Sequence, residues 1–339
     1  MNTPSLAEIK TILADTSRSH LESLARQAKE LTQQNFGRAI GLYTPLYLSN
    51  YCASHCTYCG FHSRHKIKRM KLSADEINAE MKSIAATGVQ NILLLTGESP
   101  QATPLDYLIQ AIQCAKAHFQ GISLEIYPMT TPEYRALYEA GADGVTVYQE
   151  TYDRARYSEV HLAGQKKDFT FRYEAPRRIA AAGMRQISIG ALLGLGPLAE
   201  DLDALYRHLH QLEKEFPGVE YSVSFPRLRT IKAEAFAAST VDDATFVKIL
   251  CLTRMLFPRV GINLSTRETS ALRNRLLELC VTRISVGSKT GVGGYHNPAI
   301  ATDPQFDVAD ERSTPEMIQY LKDHNFDPAF TDWRRINNT

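Results

Sequence analysis

The sequence lacks an excess of charge of either sign. Its 38 lysine and arginine residues nearly cancel its 37 aspartate and glutamate residues, which leaves a formal net charge of +1. Such a balance creates no long-range field that would attract nucleic acid or an anionic membrane. We therefore expect no nucleic-acid partner and favour chemistry on small molecules.

Long apolar runs are absent as well. No stretch approaches the about 18 apolar residues that a membrane span requires, and the N-terminal MNTPSLAEIK lacks the apolar segment of a secretory signal. With 44% hydrophobic residues, the composition is that of a soluble globular protein with a large core. We therefore expect a cytoplasmic protein with no membrane partner.

Cysteine is too scarce for a disulfide scaffold. The 339 residues include six cysteines, of which three are clustered: Cys52, Cys56 and Cys59. Clustered cysteines in a chain that is otherwise poor in cysteine are typical of a metal site. The other three have no mutual spacing, and we expect them in the core.

Apolar, β-branched runs alternate with helical patterns along the chain. The runs predict eight strands, at 42–49, 91–96, 122–127, 144–148, 186–191, 219–224, 261–265 and 283–286. The remaining patterns predict eight helices, at 73–87, 104–118, 132–140, 172–182, 199–216, 241–257, 269–279 and 314–324. A helix after each strand predicts an α/β fold of the TIM type, a parallel (β/α)8 barrel that binds ligands at the C-terminal ends of its strands.

The predicted barrel occupies most of the chain. We expect residues 1–40 to form an N-terminal helical extension, residues 41–325 the barrel, and residues 326–339 a C-terminal tail.

Some helix ends are marked by local signals. Ser73 and Glu76 have the spacing of a capping box, and Gly88 and Gly141 stand where a helix must end in a left-handed backbone.

The clustered cysteines follow the first predicted strand with the spacing C-x3-C-x2-C. A loop of this kind can bring three thiolates onto three irons of a 4Fe-4S cubane and leave the fourth iron open. The open iron can chelate the amino and carboxylate groups of S-adenosyl-L-methionine (SAM), whose one-electron cleavage gives a 5′-deoxyadenosyl radical. Tyr58 would either lie beside this cofactor or pack under the loop.

Two other interpretations of the cysteine loop stay open. The cysteines could hold zinc, with His55 or His62 as the fourth ligand. The C-x-x-C pair could instead be a redox motif, although such a motif normally opens a helix in a smaller βαβ domain.

Polar side chains also follow the second and third strands. Thr96, Gly97 and Glu98 form a turn in which glycine permits close backbone approach and the carboxylate can meet the SAM ammonium group. An ordinary turn is the alternative. Glu125 is an acid in an otherwise apolar strand, and it either turns inward to a partner or is exposed.

Later strands end in further polar groups. Gln149 and Glu150 follow the fourth strand and can supply hydrogen bonds over the barrel mouth. Arg267 follows the seventh strand, where it can bind a substrate carboxylate through two hydrogen bonds or form a salt bridge with Glu268.

Taken together, these motifs resemble those of the 2-iminoacetate synthases, which are tyrosine lyases of the radical SAM superfamily. The resemblance rests on LYLSNYCASHCTYCGF, LLLTGE, DGVTVYQETYD, HLAGQKKDF, IGALLGL, YSVSFPRLR, LSTRE, GGY, QFDVADERS and the DW pair at 332–333. YQETY and SFPRLR are the most specific, because the whole superfamily shares the cysteine motif.

The resemblance implies a function. The reaction would cleave the Cα–Cβ bond of L-tyrosine to dehydroglycine (2-iminoacetate) and p-cresol, for the thiazole of thiamine, while SAM is reduced to 5′-deoxyadenosine and methionine. The implied cofactors are a 4Fe-4S cluster and SAM. The implied partners are a thiazole synthase, which takes up dehydroglycine, and flavodoxin or ferredoxin as electron donor.

The resemblance also implies residue roles. The three clustered cysteines would ligate the cluster, and Arg267 would hold the tyrosine carboxylate. Glu150 and Arg267 would be catalytic. The residues near SAM would be Tyr58, Thr96, Gly97, Glu98 and Glu125. The residues that contact substrate would be Tyr47, Gln149, Glu150, Arg267, Ser285 and Ser288.

Rival functions follow from the same motifs. A tryptophan lyase that makes 3-methylindolic acid shares most of them, so another aromatic amino acid is the first alternative substrate. The hydrogenase-maturation tyrosine lyase carries additional C-terminal cysteines. This chain has no cysteine after Cys280, so that variant of the function is disfavoured. A non-catalytic zinc-binding scaffold is the alternative from a different class.

Overall fold

The computed structural model describes residues 4–228 and 240–331. The described residues contain eleven strands, most of them short. They are β1 (Ala39–Ser49), β2 (His55–Cys56), β3 (Asn91–Thr96), β4 (Gly121–Glu125), β5 (Gly144–Glu150), β6 (His161–Ala163), β7 (Gln186–Ala191), β8 (Glu220–Ser224), β9 (Gly261–Leu264), β10 (Arg283–Ser285) and β11 (Asp327–Ala329).

Eight of these strands form a closed parallel barrel. Their order is β1, β3, β4, β5, β7, β8, β9 and β10, and β10 returns to pair with β1, where Tyr43 is in register with Ser285. β3 reads NILLLT and is almost entirely buried, because helices cover the outer face of a parallel barrel. The predicted (β/α)8 barrel is confirmed, and its strands begin and end within three residues of the predicted positions.

The described residues contain twelve α-helices, of which the first two precede the barrel strands and the others lie between or after them. They are α1 (Leu6–Ala14), α2 (Arg18–Phe36), α3 (Ala74–Ala85), α4 (Leu105–Ala115), α5 (Thr131–Ala140), α6 (Arg154–Val160), α7 (Phe169–Tyr173), α8 (Ala175–Ala181), α9 (Leu198–Glu215), α10 (Asp243–Leu256), α11 (Ser270–Leu277) and α12 (Thr314–Asp323). The prediction of a single helix at 172–182 is wrong. Two short helices occur there, because Pro176 in the first turn of α8 cannot continue the hydrogen bonding of α7.

Several small elements of the structure were not predicted. β2 and β6 form an antiparallel pair outside the barrel, α6 joins β5 to β6, and β11 adds to the outer edge of β1. Two short 3-10 helices lie at Gln165–Lys167 and Pro298–Ile300. These segments are short and lie outside the alternation of barrel strands and helices on which the prediction depends.

The local signals at helix ends are confirmed. Glu76 accepts a hydrogen bond from the backbone N–H of Ser73 at 2.7 Å, which completes the capping box of α3. Gly88 and Gly141 have φ angles of 91° and 125°, in the left-handed region.

Of the three unclustered cysteines, Cys251 and Cys280 are buried and Cys114 is half-buried.

The N-terminal helices pack on the outside of the barrel. α2 lies along α10, where the Arg254 guanidinium is 4.5 Å from the centroid of the Phe36 ring. Lys248 Nζ donates to the carbonyl oxygen of Leu13 at 3.0 Å. The domain boundaries at 40 and 325 stay a prediction. The DW pair at 332–333 and Arg229 of SFPRLR lie outside the described residues.

Within the described residues, no helix is both long and apolar enough to cross a membrane.

Candidate active site

The cysteine loop lies at the C-terminal end of β1 and is tied to the end of β3. The N–H of Gly97 donates to the carbonyl oxygen of Ser49 at 2.9 Å, and the N–H of Ala53 donates to that of Glu98 at 2.8 Å. A Cβ atom at Gly97 would overlap the carbonyl group of Tyr51. Glycine is therefore required for the two segments to approach so closely.

A second segment, residues 157–166, covers the outer side of the cysteine loop. We call it the brace segment. Its strand β6 pairs with β2, and its Val160 carbonyl accepts from the N–H of Thr57 at 3.0 Å. Gly164, with a φ of 82°, lies so close to Ser54 that a Cβ atom would overlap it. The loop is thus held from two sides, by β3 and by the brace segment.

Arg69 fixes the remaining side of the loop. Its guanidinium donates to the carbonyl oxygens of Asn50 at 2.6 Å, Phe61 at 2.8 Å and His62 at 2.6 Å. The planar fork of an arginine suits several acceptors at once. Residues before and after the cysteines are therefore drawn to one guanidinium, so that the chain itself shapes the loop.

The thiols of Cys52, Cys56 and Cys59 line one cavity, which we call the cluster cavity. Burial, followed by the nearby charges of Glu98 and Cys59, raises the pKa of the Cys52 thiol to about 11. Burial also raises the pKa of the Cys56 thiol well above its usual range, although the charge of Lys166 opposes this. Thiols that repel one another as anions need a bound cation to be thiolates together. The donor set therefore fits an iron-sulfur cluster.

The histidines that could complete a zinc site do not line this cavity. The rings of His55 and His62 instead stack on each other, with centroids 5.1 Å apart. Among residues 4–228 and 240–331, no three histidine, cysteine or acidic side chains are arranged around a position for a single metal ion. The geometry therefore favours a cluster held by three thiols over a zinc ion.

Four buried charged residues line the wall of the cluster cavity: Glu98, Glu150, Lys166 and Arg172. We call them the charged cluster. Arg172 lies 2.8 Å from Glu98, and Lys166 lies 2.7 Å from Glu150 and 3.6 Å from Glu98. Burial alone would raise the pKa of Glu98, but Arg172 and Lys166 outweigh it and lower the pKa below its usual value. The four charges balance, so a zwitterionic ligand could meet both signs here.

A local irregularity turns Glu150 toward the cavity. The pairing of β5 with β7 shifts between Tyr148 and Glu150, and Glu150 has a φ of 74°. Gln149 points elsewhere. Its side-chain amide lies 3.4 Å from the carbonyl oxygen of Phe169, and it lines neither cavity of the site. The predicted contact of Gln149 with substrate is therefore not supported, because successive side chains of a strand face opposite sides.

A second cavity, which we call the barrel cavity, lies inside the barrel mouth. It shares part of its wall with the cluster cavity, namely Cys59, Glu125, Tyr148, Glu150, Lys166 and Gln305. Its apolar wall includes Leu93, Leu95, Leu192, Pro226 and Leu228. Its polar wall includes Tyr47, Tyr58, Arg267, Ser285 and Ser288. Most of the predicted substrate residues are thus brought together.

Arg267 stands between an aromatic ring and the barrel cavity. Its guanidinium carbon is 3.8 Å from the centroid of Phe306. Burial lowers the pKa of Arg267, and the nearby oxygen atoms of Tyr47 and Glu150 raise it only in part. A buried guanidinium in this position gains from an anionic ligand in the cavity.

Gln305 connects the two cavities. The Tyr47 hydroxyl donates to Gln305 Oε1 at 2.7 Å, and Gln305 Nε2 lies 3.7 Å from Cys59 Sγ. One amide therefore touches both a predicted substrate residue and a predicted cluster ligand.

The two serines of the eighth strand and its loop differ in their bonding. Ser285 Oγ accepts from the N–H of Thr266 at 3.0 Å. Ser288 Oγ is buried and has no hydrogen-bond partner in the described part of the chain. A buried hydroxyl on a cavity wall is normally satisfied by a ligand or by water.

Two more predicted residues line the barrel cavity, and one of them, Glu125, also lines the cluster cavity. Burial, followed by the charge of Glu150, raises the pKa of Glu125 to about 7. The Tyr58 hydroxyl is 2.8 Å from His161 Nε2, while His161 Nδ1 is 2.9 Å from the Tyr157 carbonyl oxygen. Because a carbonyl can only accept, Nδ1 carries the proton and Nε2 accepts from Tyr58.

Sequence reasoning missed four residues of the site: His161, Lys166, Arg172 and Gln305. His161 and Lys166 lie within HLAGQKKDF, and Gln305 lies within QFDVADERS. Both motifs supported the resemblance, but no role was predicted for their residues. Their partners are up to 258 positions away in the chain. No spacing rule links residues so far apart.

The fold and the site now define a class of protein. A model of the radical SAM superfamily matches residues 46–209, and a model of the Biotin and Thiamin Synthesis associated domain matches residues 224–327. Together with the closed barrel and the three thiols of one loop, these matches define a radical SAM barrel enzyme, a class that uses a 4Fe-4S cluster and SAM.

Individual relatives narrow the class. The chain is 37% identical to the 2-iminoacetate synthase of Escherichia coli (strain K12), over 96% of this chain and 86% of that protein. The corresponding enzyme of Salmonella typhimurium (strain LT2) is 36% identical over the same shares. The chain belongs to the 2-iminoacetate synthase family. A 3-methylornithine synthase of Methanosarcina acetivorans is 26% identical over 74% of this chain and 70% of its own.

Solved structures agree with this placement. The FeFe-hydrogenase maturase HydG from Carboxydothermus hydrogenoformans superimposes with a TM-score of 0.90 and 35% identity, over 98% of this chain and 77% of that chain. Methylornithine synthase superimposes with a TM-score of 0.78 at 22% identity, over 97% of this chain and 95% of that chain, which shows the shared fold.

Proposed function

We propose that the chain is a radical SAM lyase that cleaves the Cα–Cβ bond of L-tyrosine to 2-iminoacetate and p-cresol, for the thiazole of thiamine. One observation carries this proposal. The cavity lined by three thiols and the charged cluster shares part of its wall with a barrel cavity that has a buried guanidinium and an apolar wall. Cofactor and an aromatic amino acid can therefore lie side by side.

The loop cysteines are the proposed ligands of the cluster. Cys52, Cys56 and Cys59 would hold three irons through their thiolates. When bound, the cluster and SAM supply a one-electron cleavage that generates a carbon radical able to take a hydrogen atom. The loop is fixed by Arg69, Gly97 and the brace segment, so its geometry is set before the cluster is loaded.

The charged cluster is the proposed site for the methionyl part of SAM. Glu98 would accept from the ammonium group, as its position after Gly97 suggests. Lys166 and Arg172 would meet the carboxylate, since both are cations on the wall of the cluster cavity. Glu125 lines both cavities and Tyr58 lines the barrel cavity, and both would contact the rest of the cofactor.

Tyrosine is proposed to lie in the barrel cavity. Arg267 would bind its carboxylate, and Ser288, with its unsatisfied buried hydroxyl, would add a hydrogen bond. Tyr47 and Ser285 line the same wall. Glu150 would accept a proton from the substrate ammonium group and hold the resulting amine toward the cluster cavity. Its position allows this role, because Glu150 lines both cavities.

The overall reaction balances. Tyrosine divides into 2-iminoacetate and p-cresol with no net gain or loss of hydrogen. SAM takes up two electrons and one proton and divides into methionine and 5′-deoxyadenosine. One electron is needed to cleave SAM, and a second electron and a proton are needed by the aromatic fragment. An external electron donor is therefore required.

Two protein partners follow from this chemistry. We propose that a thiazole synthase consumes 2-iminoacetate, because an imine hydrolyses in water and benefits from direct transfer. We propose flavodoxin or ferredoxin as the source of low-potential electrons.

The proposed function is tested by an anaerobic assay. The purified chain is reconstituted with iron and sulfide and then incubated with SAM, L-tyrosine and dithionite. We expect 5′-deoxyadenosine and p-cresol in comparable amounts. Replacement of tyrosine by tryptophan is the matched control, and a product from tryptophan with none from tyrosine would assign the chain to another aromatic amino acid lyase. Formation of neither nucleoside nor cresol would refute the proposal.

A further inference from the structure

The segment that follows the cysteine loop carries positive charge only. No acidic residue occurs between positions 51 and 74, where the chain has two arginines and three lysines. Because the charges of the whole chain nearly cancel, this concentration is local. Arg64, Lys66 and Lys68 are exposed, and no ion pair engages them within the described ranges. We call these three residues the basic patch.

Exposed apolar side chains flank the same loop. In the described part of the chain, the large hydrophobic residues that stand out from the surface are Tyr51, which is 42% exposed, and Leu162, which is 46% exposed. Tyr51 directly precedes Cys52. Leu162 follows His161 in β6, and His161 is in register with Cys56 of β2. Both side chains therefore adjoin the proposed cluster ligands.

Hydrogen bonds join the segment that precedes the basic patch, and the brace segment that carries Leu162, to the cysteine loop. The N–H of Ser63 donates to the carbonyl oxygen of Ser54 at 2.9 Å. The N–H of Lys166, at the end of the brace segment, lies 3.4 Å from the hydroxyl of the same serine. Ser54 thus lies between the start of the basic patch and the brace segment. Because both segments adjoin Ser54 of the cysteine loop, we take the exposed basic and apolar groups together as one candidate surface.

This surface has the chemistry of a transient protein interface. Apolar side chains at the centre supply contact area, and charges at the rim speed the encounter with a partner of opposite charge. The position also matters, because Tyr51 directly precedes the proposed ligand Cys52, and Leu162 follows the residue that pairs with Cys56. No acid within the loop would repel an acidic partner.

We propose that Tyr51, Leu162 and the basic patch form the docking surface for an acidic one-electron carrier protein. The proposal rests on the proposed function, since it deepens the need for an external donor. One electron passes from the reduced carrier to the cluster behind the loop, so that the carrier is oxidised and the cluster is reduced by one electron each. No atom is transferred, and the partners separate after each electron.

The test uses the reconstituted full chain and a reduced flavodoxin as the probe. We expect Arg64→Glu/Lys66→Glu/Lys68→Glu to weaken flavodoxin binding by at least about tenfold at low ionic strength, as measured by titration of flavin fluorescence. Cluster reduction by flavodoxin, followed by stopped-flow absorbance, should slow by a similar factor. The wild-type affinity should fall steeply with salt, while that of the triple variant should not.

Two further variants separate the charge effect from others. Leu162→Ser should weaken binding without changing its salt dependence, because it removes contact area only. Arg26→Glu/Lys214→Glu reverses two exposed cations on helices outside the barrel and should leave binding unchanged. Iron content and SAM cleavage with dithionite should be those of the wild type in every variant, since none of these residues touches the cluster or charged cluster.

The outcomes are distinct. A triple variant that binds flavodoxin and accepts its electrons within about twofold of the wild type would overturn the docking proposal. Loss of iron from that variant, with loss of SAM cleavage by dithionite, would also overturn it, because the patch would then be structural. A wild-type chain that is reduced by flavodoxin but forms no p-cresol would refute the proposed function and leave the docking surface standing.

Discussion

The ammonium group of Lys166 lies 2.7 Å from the carboxylate of Glu150, and this ion pair connects the brace segment to the barrel. Lys166 ends the segment that covers the cysteine loop, whereas Glu150 ends strand β5. Both side chains are about nine-tenths buried. Removing one partner of a buried pair leaves an uncompensated charge, which costs more than the pair itself contributes. The pair thereby ties the end of the brace segment to the end of β5.

Lys166→Met should therefore destabilise the chain and disturb the site. We expect a loss of about 3 kcal/mol in the free energy of unfolding, and SAM cleavage reduced by about 100-fold. Anaerobic urea titration and 5′-deoxyadenosine formation measure the two effects. The double variant Lys166→Met/Glu150→Gln should recover part of the stability but not the activity. A single variant as stable as the wild type would contradict the coupling between loop and barrel.

Gly97→Ala should disrupt the contact between the turn and the cysteine loop. The added Cβ atom would overlap the Tyr51 carbonyl, so one of the two segments must move. We expect a lower iron content after reconstitution and SAM cleavage reduced at least about tenfold. Gly218→Ala is the matched control, because a Cβ atom there meets nothing within 4 Å. Equal iron content in the two variants would show that cluster assembly does not require the close approach of the turn to the cysteine loop.

Cys56→Ala should abolish the cluster while the barrel still folds. The loop lies outside the barrel core, and its shape depends on Arg69 and the brace segment. Iron analysis and circular dichroism measure the two properties. Cys114→Ala removes a half-buried cysteine that lines neither cavity and should retain iron and activity. Global unfolding of Cys56→Ala would indicate a structural metal instead.

Arg267→Ala should weaken the use of tyrosine and leave cluster assembly intact. Loss of the buried guanidinium that binds the tyrosine carboxylate should lower kcat/KM for tyrosine by about 100-fold, mainly by raising KM. SAM-dependent nucleoside formation without tyrosine should change little. Arg154→Ala is the control, because Arg154 also stacks on a phenylalanine, with 4.1 Å between its guanidinium and the ring of Phe169, but is exposed. Unchanged tyrosine kinetics would dismiss the carboxylate role.

Stability should fall in acid because of His208. Burial, followed by the charge of Arg177, lowers the pKa of His208 from its usual 6.5 to about 4. The folded state therefore keeps this histidine neutral at pH values where the unfolded chain protonates it. Stability from this group is complete above pH 6.5 and is lost as the pH falls toward 4, by about 3 kcal/mol at most.

The measurement is urea unfolding across that pH range. His208→Phe keeps a ring against Tyr173, which stacks on His208 at 4.1 Å, and removes the titration. Its stability should vary less between pH 6.5 and 4 than that of the wild type. Parallel curves for the two proteins would exclude His208 as the cause.

Much of the fold could be predicted because its signals are local. β3 shows an unbroken apolar run, and Ser73 with Glu76 marks the start of α3 within four residues. The cysteine spacing likewise lies within one loop. Helices and strands of ordinary length repeat these signals often enough to be found, whereas β2 and β6 are two and three residues long and exist only because they pair with each other.

The site was predicted less completely. Arg267 and Glu98 follow barrel strands, and a parallel barrel brings all strand ends to one rim, so their convergence was foreseeable. Gln149 was assigned to the substrate, but the bulge that turns Glu150 inward leaves its neighbour facing Phe169. Whether a strand residue faces the cavity depends on such irregularities, which no local pattern of this sequence marks.

The barrel, the cysteine loop and the family can be read from the amino-acid sequence alone, because periodicity, spacing and motifs within short stretches of chain specify them. The three-dimensional packing was needed to show that Lys166, Arg172 and Gln305 belong to the site. Their partners are distant in the chain, and burial rather than spacing selects them, since a charge or an amide withdrawn from water must find a partner wherever the fold provides one.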